Sequence, residues 1–252
     1  GTLSQHFEGT KDVRPHVINV CNFTRPTDTK PSLLTFREVE TLFHEFGHAL
    51  HSMMSHVKYE TVSGTSVSWD FVELPSQFME NFCTEPEVLK LFAKHYQTGE
   101  VIPNELIEKI KQSSNFMSGI GLTRQINLGL TDMAWHNGAP TGESVADVEK
   151  KVAEQTDLYP IVPGTAVSTA FSHIFAGGYS AGYYSYMWSS VLDADAFEAF
   201  KEKGIFNKEV SASFRDNILS KGGTEKPMEL YKRFRGREPK PDAMLKRDGL
   251  AL

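Results

Sequence analysis

The chain has 252 residues, 40% of them hydrophobic and 23% charged, and a formal net charge of −6 at pH 7. This length and composition favour a globular protein with a sizeable core over a disordered one. No basic run indicates nucleic-acid binding and no apolar run is long enough to span a membrane. The two cysteines are too few for a disulfide framework, so a cytoplasmic protein is expected.

Helical signals dominate the chain. β-branched and apolar residues predict a strand over 16–23, a long helix is predicted over 35–57, and the Ser/Thr-rich segment 58–69 should be extended or irregular. Capping residues, prolines and glycines predict further helices over 71–82, 84–99, 103–137 with an interruption near Gly119 and Gly121, 144–155, 179–201, 208–220 and 225–235. The sequence therefore predicts a mainly α fold with a little β-structure.

The long helix over 35–57 carries the motif His44-Glu45-x-x-His48. Residues four apart lie one turn apart on the same helix face, so both imidazoles can bind one zinc ion. Glu45 follows the first ligand and is placed to take a proton from a water that the metal makes more acidic. An amphipathic helix with two unrelated histidines is the simpler interpretation. It is disfavoured because burying His, Glu and His without partners is costly.

A catalytic zinc usually has a third protein ligand. The metzincin continuation is excluded, because it requires Gly at position 51 and His at position 54, where this chain has His51 and Met54. His51 lies two turns from His44, about 10 Å along the axis, which is too far for one ion to reach both. Glu60 and Glu73 remain. Glu73 is preferred because its distance along the chain allows a return segment and a second helix.

Three more carboxylates could lie just behind the ligands: Glu40, Asp70 and Glu80. A metal-binding histidine normally donates its second N–H to a carboxylate or carbonyl. Glu80 lies seven residues after Glu73 and shares its face if the helix is regular. For Glu40 and Asp70, a helix cap or a solvated charge is an equally good interpretation.

The segment 171–186 is rich in tyrosine and also contains His173. Tyr179, Tyr183 and Tyr186 have helical spacing of four and then three, so a helix would place their phenols on one face. Such a stripe is more often core than catalytic. Amide hydrolysis, however, builds negative charge on the carbonyl oxygen, and tyrosine O–H or histidine N–H groups can stabilise it. The glycines at 177–178 would let this segment approach a substrate closely.

Three segments in this order resemble the zinc peptidase family that includes thimet oligopeptidase, neurolysin, oligopeptidase A and peptidyl-dipeptidase Dcp. They are 43–51 (Phe-His-Glu-Phe-Gly-His-Ala-Leu-His), 63–77 (which ends in Asp-Phe-Val-Glu-Leu-Pro-Ser-Gln) and 173–188. The resemblance extends over nearly the whole chain. Within the family it is strongest to the Dcp branch, with oligopeptidase A as the near alternative.

The resemblance implies a zincin-type (neurolysin-like) catalytic domain, mainly α, with a small β-element beside the metal helix. It implies one zinc ion per chain and an active site in which Tyr183 and Tyr186 lie near the substrate carbonyl. The implied residues are His44, His48 and Glu73 for the metal; Glu45, His173, Tyr183 and Tyr186 for catalysis; and Gly64, Thr65 and Tyr179 for the substrate.

The implied activity is zinc-dependent hydrolysis of short unfolded peptides, with release of C-terminal dipeptides. An endo-acting oligopeptidase is the alternative within the family, and an inactive zinc-stabilised peptide-binding module is the alternative outside it. Family members are much longer, and their N-terminal helical part forms the other wall of a peptide channel. Residues 1–252 are therefore expected to be the C-terminal catalytic portion of a longer protein, whose N-terminal part completes the channel.

Overall fold

The computed structural model describes residues 4–139, 142–156 and 158–250. Two short antiparallel strands, β1 (His6–Glu8) and β2 (Lys11–Val13), form a small sheet. The α-helices are α1 (Phe36–Met53), α2 (Trp69–Val72), α3 (Leu74–Glu80), α4 (Pro86–Phe92), α5 (Asn104–Ser114), α6 (Ser118–His136), α7 (Val145–Thr156), α8 (Ser172–Phe175), α9 (Ser185–Lys203), α10 (Lys208–Phe214), α11 (Pro227–Arg235) and α12 (Asp242–Arg247). Short 3₁₀ turns lie at Glu60–Val62, Asn81–Thr84 and Ser168–Ala170, and a π-helical turn lies at Arg215–Leu219.

The mainly α prediction is confirmed, with the β-element beside the long helix. Gln5 accepts a hydrogen bond from the Val57 N–H, and the Phe7 N–H donates to the Lys58 carbonyl. These bonds hold the sheet against the chain that leaves α1. None of the helices that the structure describes combines the length and apolarity that crossing a bilayer requires.

Helix α1 starts at a capping box. The Thr35 hydroxyl accepts from the Glu38 N–H at 3.3 Å, and the Glu38 carboxylate accepts from the Thr35 N–H at 2.7 Å. Two of the N–H groups that a helix start leaves unpaired are thereby satisfied. The helix follows its prediction closely but ends at Met53, four residues early.

A glycine sets the distance between α1 and α3. A Cβ added at Gly47 would lie 2.4 Å from the Pro75 carbonyl oxygen and 2.5 Å from the Ser76 Cα. Only a residue without a side chain fits there, because real Cβ contacts are not this short. The backbones of α1 and α3 therefore approach closely, and both carry residues of the predicted metal site.

Helix α9 runs through the largest hydrophobic cluster. Leu192, Ala196, Phe197 and Phe200 of α9 pack against apolar residues of α2, α3, α10 and α11. Buried charges on α9 are paired, as their desolvation cost requires. Asp193 accepts from Arg247 of α12 at 2.6 Å, which fastens the C-terminal helix to α9.

The strand predicted over 16–23 is wrong. Apart from an isolated bridge position at His16, the segment is irregular, and Ile18 and Val20 are 62% and 81% exposed. β-branched residues favour a strand only where a neighbouring strand accepts the backbone hydrogen bonds and covers one face. Among the described residues, the named strands pair only with each other, over 6–8 and 11–13.

Four further predicted helices have different limits. The helix over 103–137 divides at residues 115–117, where Met117 has φ 57°, and not at its glycines. The helix over 84–99 ends at Phe92, because the chain turns back into a bridge between Lys94 and Val101. The helix over 179–201 begins only at Ser185. The helix over 71–82 is divided at Glu73 into α2 and α3, and a 3₁₀ turn follows at 81–84. The helices over 144–155, 208–220 and 225–235 agree with their predictions, with the last part of 208–220 in π-helical geometry.

Candidate metal centre and tyrosine loop

The structure brings His44, His48 and Glu73 together. One donor atom from each lies within 4.8 Å of the other two. Glu73 Oε2 is 3.4 Å from His44 Nε2 and 3.2 Å from His48 Nε2, and the imidazole planes are nearly perpendicular at 85°. Two imidazole nitrogens and one carboxylate oxygen are a donor set that fits zinc. Glu60, the other candidate ligand, lies exposed in a 3₁₀ turn outside this cluster.

Glu73 is a buried carboxylate with several hydrogen bonds. It is 3% exposed, Ser76 Oγ donates to its Oε2 at 2.8 Å, and the Tyr179 hydroxyl donates to its Oε1 at 2.8 Å. Burial acts to raise the pKa of Glu73, but hydrogen bonds and charge from His48, with Ser76 and Tyr179, lower the pKa to about 2. The carboxylate is therefore ionised at neutral pH, as a metal ligand must be.

Of the three carboxylates predicted behind the ligands, Glu80 contacts a histidine. Its Oε1 lies 2.6 Å from His44 Nδ1. Such a partner fixes the ring and leaves Nε2 to face Glu73. Burial lowers the pKa of His44, but the negative charges of Glu80, Glu73 and Glu45 outweigh it and raise the pKa. Asp70 instead accepts from the Tyr184 hydroxyl at 3.2 Å.

Glu45 occupies the position next to the first histidine and is partly buried. Its charge is one of those that raise the pKa of His44, so its carboxylate lies within electrostatic reach of that ring. Glu45 lies outside the set of three donor atoms formed by His44, His48 and Glu73.

His173 and three tyrosines form an aromatic group that we call the ring cluster: His173, Tyr179, Tyr183 and Tyr186. Tyr179 and Tyr186 stack with centroids 5.2 Å apart, and Tyr183 lies 5.1 Å from Tyr186. The His173 ring is 5.8–6.3 Å from all three tyrosines. Since Tyr179 also bonds Glu73, the ring cluster directly adjoins the candidate metal centre.

The reason for this proximity differs from the prediction. Only Tyr186 lies in α9, whereas Tyr179 and Tyr183 belong to a series of turns between α8 and α9, residues 176–184, which we call the tyrosine loop. Burial raises the pKa of Tyr183, and burial with nearby negative charge raises that of Tyr186 to about 12. Both phenols therefore keep their protons at neutral pH and can donate hydrogen bonds.

One family model matches almost the entire sequence: that for peptidase family M3 aligns with residues 2–250. The chain belongs to this family. The resemblance seen in the sequence is thereby confirmed, and M3 peptidases are in general zinc-dependent. The donor set of His44, His48 and Glu73 agrees with that requirement.

Similar M3 proteins carry different names. Oligopeptidase A of Escherichia coli is 51% identical over 94% of this chain and 35% of its own length. A probable cytosolic oligopeptidase A of Arabidopsis thaliana is 45% identical over 92% of this chain and 34% of its own. Dipeptidyl carboxypeptidase of Escherichia coli is 41% identical over 94% of this chain and 35% of its own length. The chain thus spans about a third of the length of the curated relatives it matches.

Trp69 lies beside the ring cluster, and sequence reasoning missed it. Its ring lies 4.5 Å from that of Tyr179, and a Cβ at Gly178 would lie 3.3 Å from it. Trp69 remains 49% exposed, so it forms an open aromatic wall beside the ring cluster. Its position directly before Asp70, in one of the segments that carry the family resemblance, was the available signal.

The predicted substrate segment lies beside the last turns of α1. Gly64 has φ 55° and is buried against Ser52, and its N–H donates to Ser55 Oγ at 3.0 Å. Thr65 is exposed. Ser52 is eight residues beyond His44, about 12 Å along the helix, so the segment flanks the metal centre at a distance. Because the Gly64 N–H is already bonded to Ser55, Thr65 is the residue of the two that a substrate could contact.

His51 lies outside the metal cluster, in agreement with its exclusion as a ligand. It is fully buried, and neither ring nitrogen has a hydrogen-bond partner among the described residues. Burial, together with the charge of His48, lowers the pKa of His51 to about 3. His51 is therefore a neutral packing residue behind the metal-facing side of α1.

Proposed function

We propose that this chain is the catalytic part of a zinc-dependent peptidase that hydrolyses short unfolded peptides. The observation that carries the proposal is the convergence of two Nε2 atoms on one buried Glu73 oxygen, 3.2 and 3.4 Å away. Glu45, which is outside this set, directly follows His44 in the sequence. His44, His48 and Glu73 would hold one zinc ion per chain. When bound, zinc supplies a Lewis acid that polarises a carbonyl and makes water more acidic.

Glu45 is proposed as the general base and acid. It takes the proton from the water that attacks the scissile carbonyl carbon, and it then gives that proton to the amide nitrogen as the C–N bond breaks. The position of Glu45 outside the donor set supports this role, because a carboxylate that does not bind the metal can take up and release a proton. Glu80 and Ser76 hold His44 and Glu73 in place during the reaction through the bonds described above.

Tyr183, Tyr186 and His173 are proposed to stabilise the negative charge that develops on the carbonyl oxygen. Their raised pKa values keep the two phenols protonated, which supports a donor role for Tyr183 and Tyr186. Tyr179 has a different role from the predicted substrate contact. Its hydroxyl is already bonded to Glu73, so we propose that it orients the ligand while its ring borders the substrate.

For the mode of cleavage we propose the endo-acting oligopeptidase type. Relatives named oligopeptidase A are 45–51% identical, and those named dipeptidyl carboxypeptidase are 41–42% identical. Release of C-terminal dipeptides, the first choice from sequence, is the second candidate, supported by the local resemblance to Dcp. A C-terminally amidated peptide separates the two types. An oligopeptidase accepts it, and an enzyme that requires the free carboxylate does not.

We further propose that a portion of the protein beyond this chain completes the peptide channel. The proposal rests on the relatives, of whose length the chain spans about a third. A cytoplasmic location is also proposed, and one relative's name describes it as cytosolic. Fractionation of cells that produce the full-length protein tests the location.

The activity is tested in the zinc-loaded full-length protein with a quenched fluorescent peptide. Glu45→Gln should retain zinc and lose activity by about 10²–10⁴-fold, the range of general acid–base catalysis. Glu87→Gln, an exposed glutamate on α4, is the matched control and should remain active. Full turnover by a zinc-loaded Glu45→Gln variant would exclude the role of Glu45. Peptide binding without turnover by the wild-type protein would instead support the inactive binding module.

A further inference from the structure

The tyrosine loop is fastened to α6 by a buried carboxylate. Asp132 is 1% exposed, and its Oδ1 and Oδ2 accept hydrogen bonds from the backbone N–H groups of Ala181 and Tyr183, both at 2.8 Å. His136 lies one turn further along α6, with its Nδ1 2.7 Å from Oδ1. Each oxygen of Asp132 is thus committed to the loop.

We infer that Asp132 is a positioning residue of the active site, which sets the place of Tyr183 by binding the loop backbone on both sides of Gly182. The inference rests on the proposed function, in which Tyr183 donates to the substrate carbonyl. Asp132 lies outside the metal cluster, and its bonds are to backbone groups and His136. It therefore acts through the loop and not on the substrate.

The conformation of the loop explains why a carboxylate is needed. Ala181 has φ 54°, in the left-handed region that non-glycine residues rarely adopt. A left-handed residue within a turn can point successive N–H groups to one side, which creates a concave anion-binding site. The Asp132 carboxylate occupies this concavity. Bonds to a charged acceptor are stronger than neutral ones, and they offset the unfavourable backbone conformation at Ala181.

Other contacts hold different parts of the loop. The Tyr179 N–H donates to the His173 carbonyl, and the Gly182 N–H donates to that of Tyr179, so these bonds are local. Tyr183 also packs on Phe171, with ring centroids 4.8 Å apart. The Asp132 bonds instead join residues 49 and 51 positions apart in the sequence, and they connect the loop to the long helix α6. Towards the two ends of the loop, the Tyr179 and Tyr184 hydroxyls bond Glu73 and Asp70. Without the Asp132 bonds, the backbone at 181–183 between these contacts would lose its fixed position.

The test uses Asp132→Asn in the zinc-loaded full-length protein. Asparagine keeps the shape of the side chain but directs an NH₂ group at one of the two N–H donors, so one of these bonds is lost. Amide hydrogen exchange over residues 176–186, measured without substrate, should become at least about tenfold faster. The kcat should fall about 10–100-fold with KM changed less than threefold, because the affected donors act in the transition state. Zinc content should not change.

Asp28→Asn is the matched control, since Asp28 is exposed in an irregular segment, and it should leave exchange and kinetics unchanged. If Asp132→Asn fails to fold, Ala181→Val perturbs the same contact from the exposed side of the loop. A β-branched residue does not fit the left-handed conformation, so it should release the N–H groups with the same kinetic result.

Normal exchange and kcat in a folded Asp132→Asn protein would overturn the inference. A lower kcat with unchanged loop exchange would overturn it as well. A wild-type protein without peptidase activity would refute the proposed function, and the exchange measurement would still decide whether Asp132 anchors the loop.

Discussion

Gly47 is the residue through which a change of one methyl group should affect both stability and metal binding. Alanine at this position would place its Cβ 2.4 Å from the Pro75 carbonyl oxygen and 2.5 Å from the Ser76 Cα. Since unstrained contacts are about 3.5 Å, α1 and α3 would have to separate by about 1 Å. His44 and His48 lie on one side of this contact, and Glu73 lies on the other.

The expected change in unfolding free energy for Gly47→Ala is the sum of two opposing effects. Overpacking typically costs about 1–3 kcal/mol, while alanine stabilises a helix interior over glycine by about 0.5–1 kcal/mol. We expect a net destabilisation of about 1–2 kcal/mol, or a melting temperature about 2–8 °C lower for a domain of this size. Zinc affinity should fall about 10–100-fold, the range seen when support of a metal ligand is lost.

The assay combines thermal unfolding with zinc competition against a chelator, and Gly121→Ala is the matched control. Gly121 also lies inside a helix, α6, but a Cβ there meets nothing within 4 Å. Its replacement should stabilise the protein by about 0.5–1 kcal/mol and leave zinc affinity unchanged. If Gly47→Ala behaves like Gly121→Ala in both measurements, the close approach of α1 and α3 does not position the ligands.

Three more predictions concern the metal centre and its surroundings. Glu73→Gln should strongly reduce zinc content by metal analysis, whereas Glu60→Gln should not, and the reverse ranking would mean that the ligand is Glu60. Tyr179→Phe removes one donor to Glu73 and should weaken zinc binding by about tenfold in a chelator titration, with the exposed Tyr159→Phe as the unchanged control. Because the folded pKa of His51 lies near 3, below its unfolded value of about 6.5, its contribution to stability is complete above pH 6.5 and is lost as the pH falls towards 3. His51→Leu should therefore reduce the loss of unfolding free energy between pH 6.5 and 4, and an unaltered acid dependence in urea unfolding would contradict the burial of a neutral imidazole.

Local features of the site could be predicted well from the sequence. The shared helix face of His44 and His48 follows from helix periodicity, and the predicted start of the helix near residue 35 agrees with the observed N-cap at Thr35. The choice of Glu73 over Glu60 agrees with the cluster in the structure, although the sequence contained only a spacing argument. Short-range geometry is visible in sequence because few residues determine it.

Features that depend on distant contacts could not be predicted in the same way. Tyr179 and Tyr183 were expected to lie near Tyr186 on one helix face, but a series of turns brings them there instead. The bonds from Asp132 to the loop join positions about 50 residues apart and left no local pattern. The strand over 16–23 was wrong for a related reason, because a strand needs a partner as well as a suitable composition.

The most direct test of the central claim is the location of zinc in the protein itself. A crystal of the zinc-loaded full-length protein, measured on both sides of the zinc absorption edge, would show the ion by its anomalous signal. We predict one strong peak per chain in this region, bounded by His44 Nε2, His48 Nε2 and a Glu73 carboxylate oxygen. A peak at Glu60 or elsewhere, or a fully zinc-loaded sample without a peak between these three residues, would contradict the account.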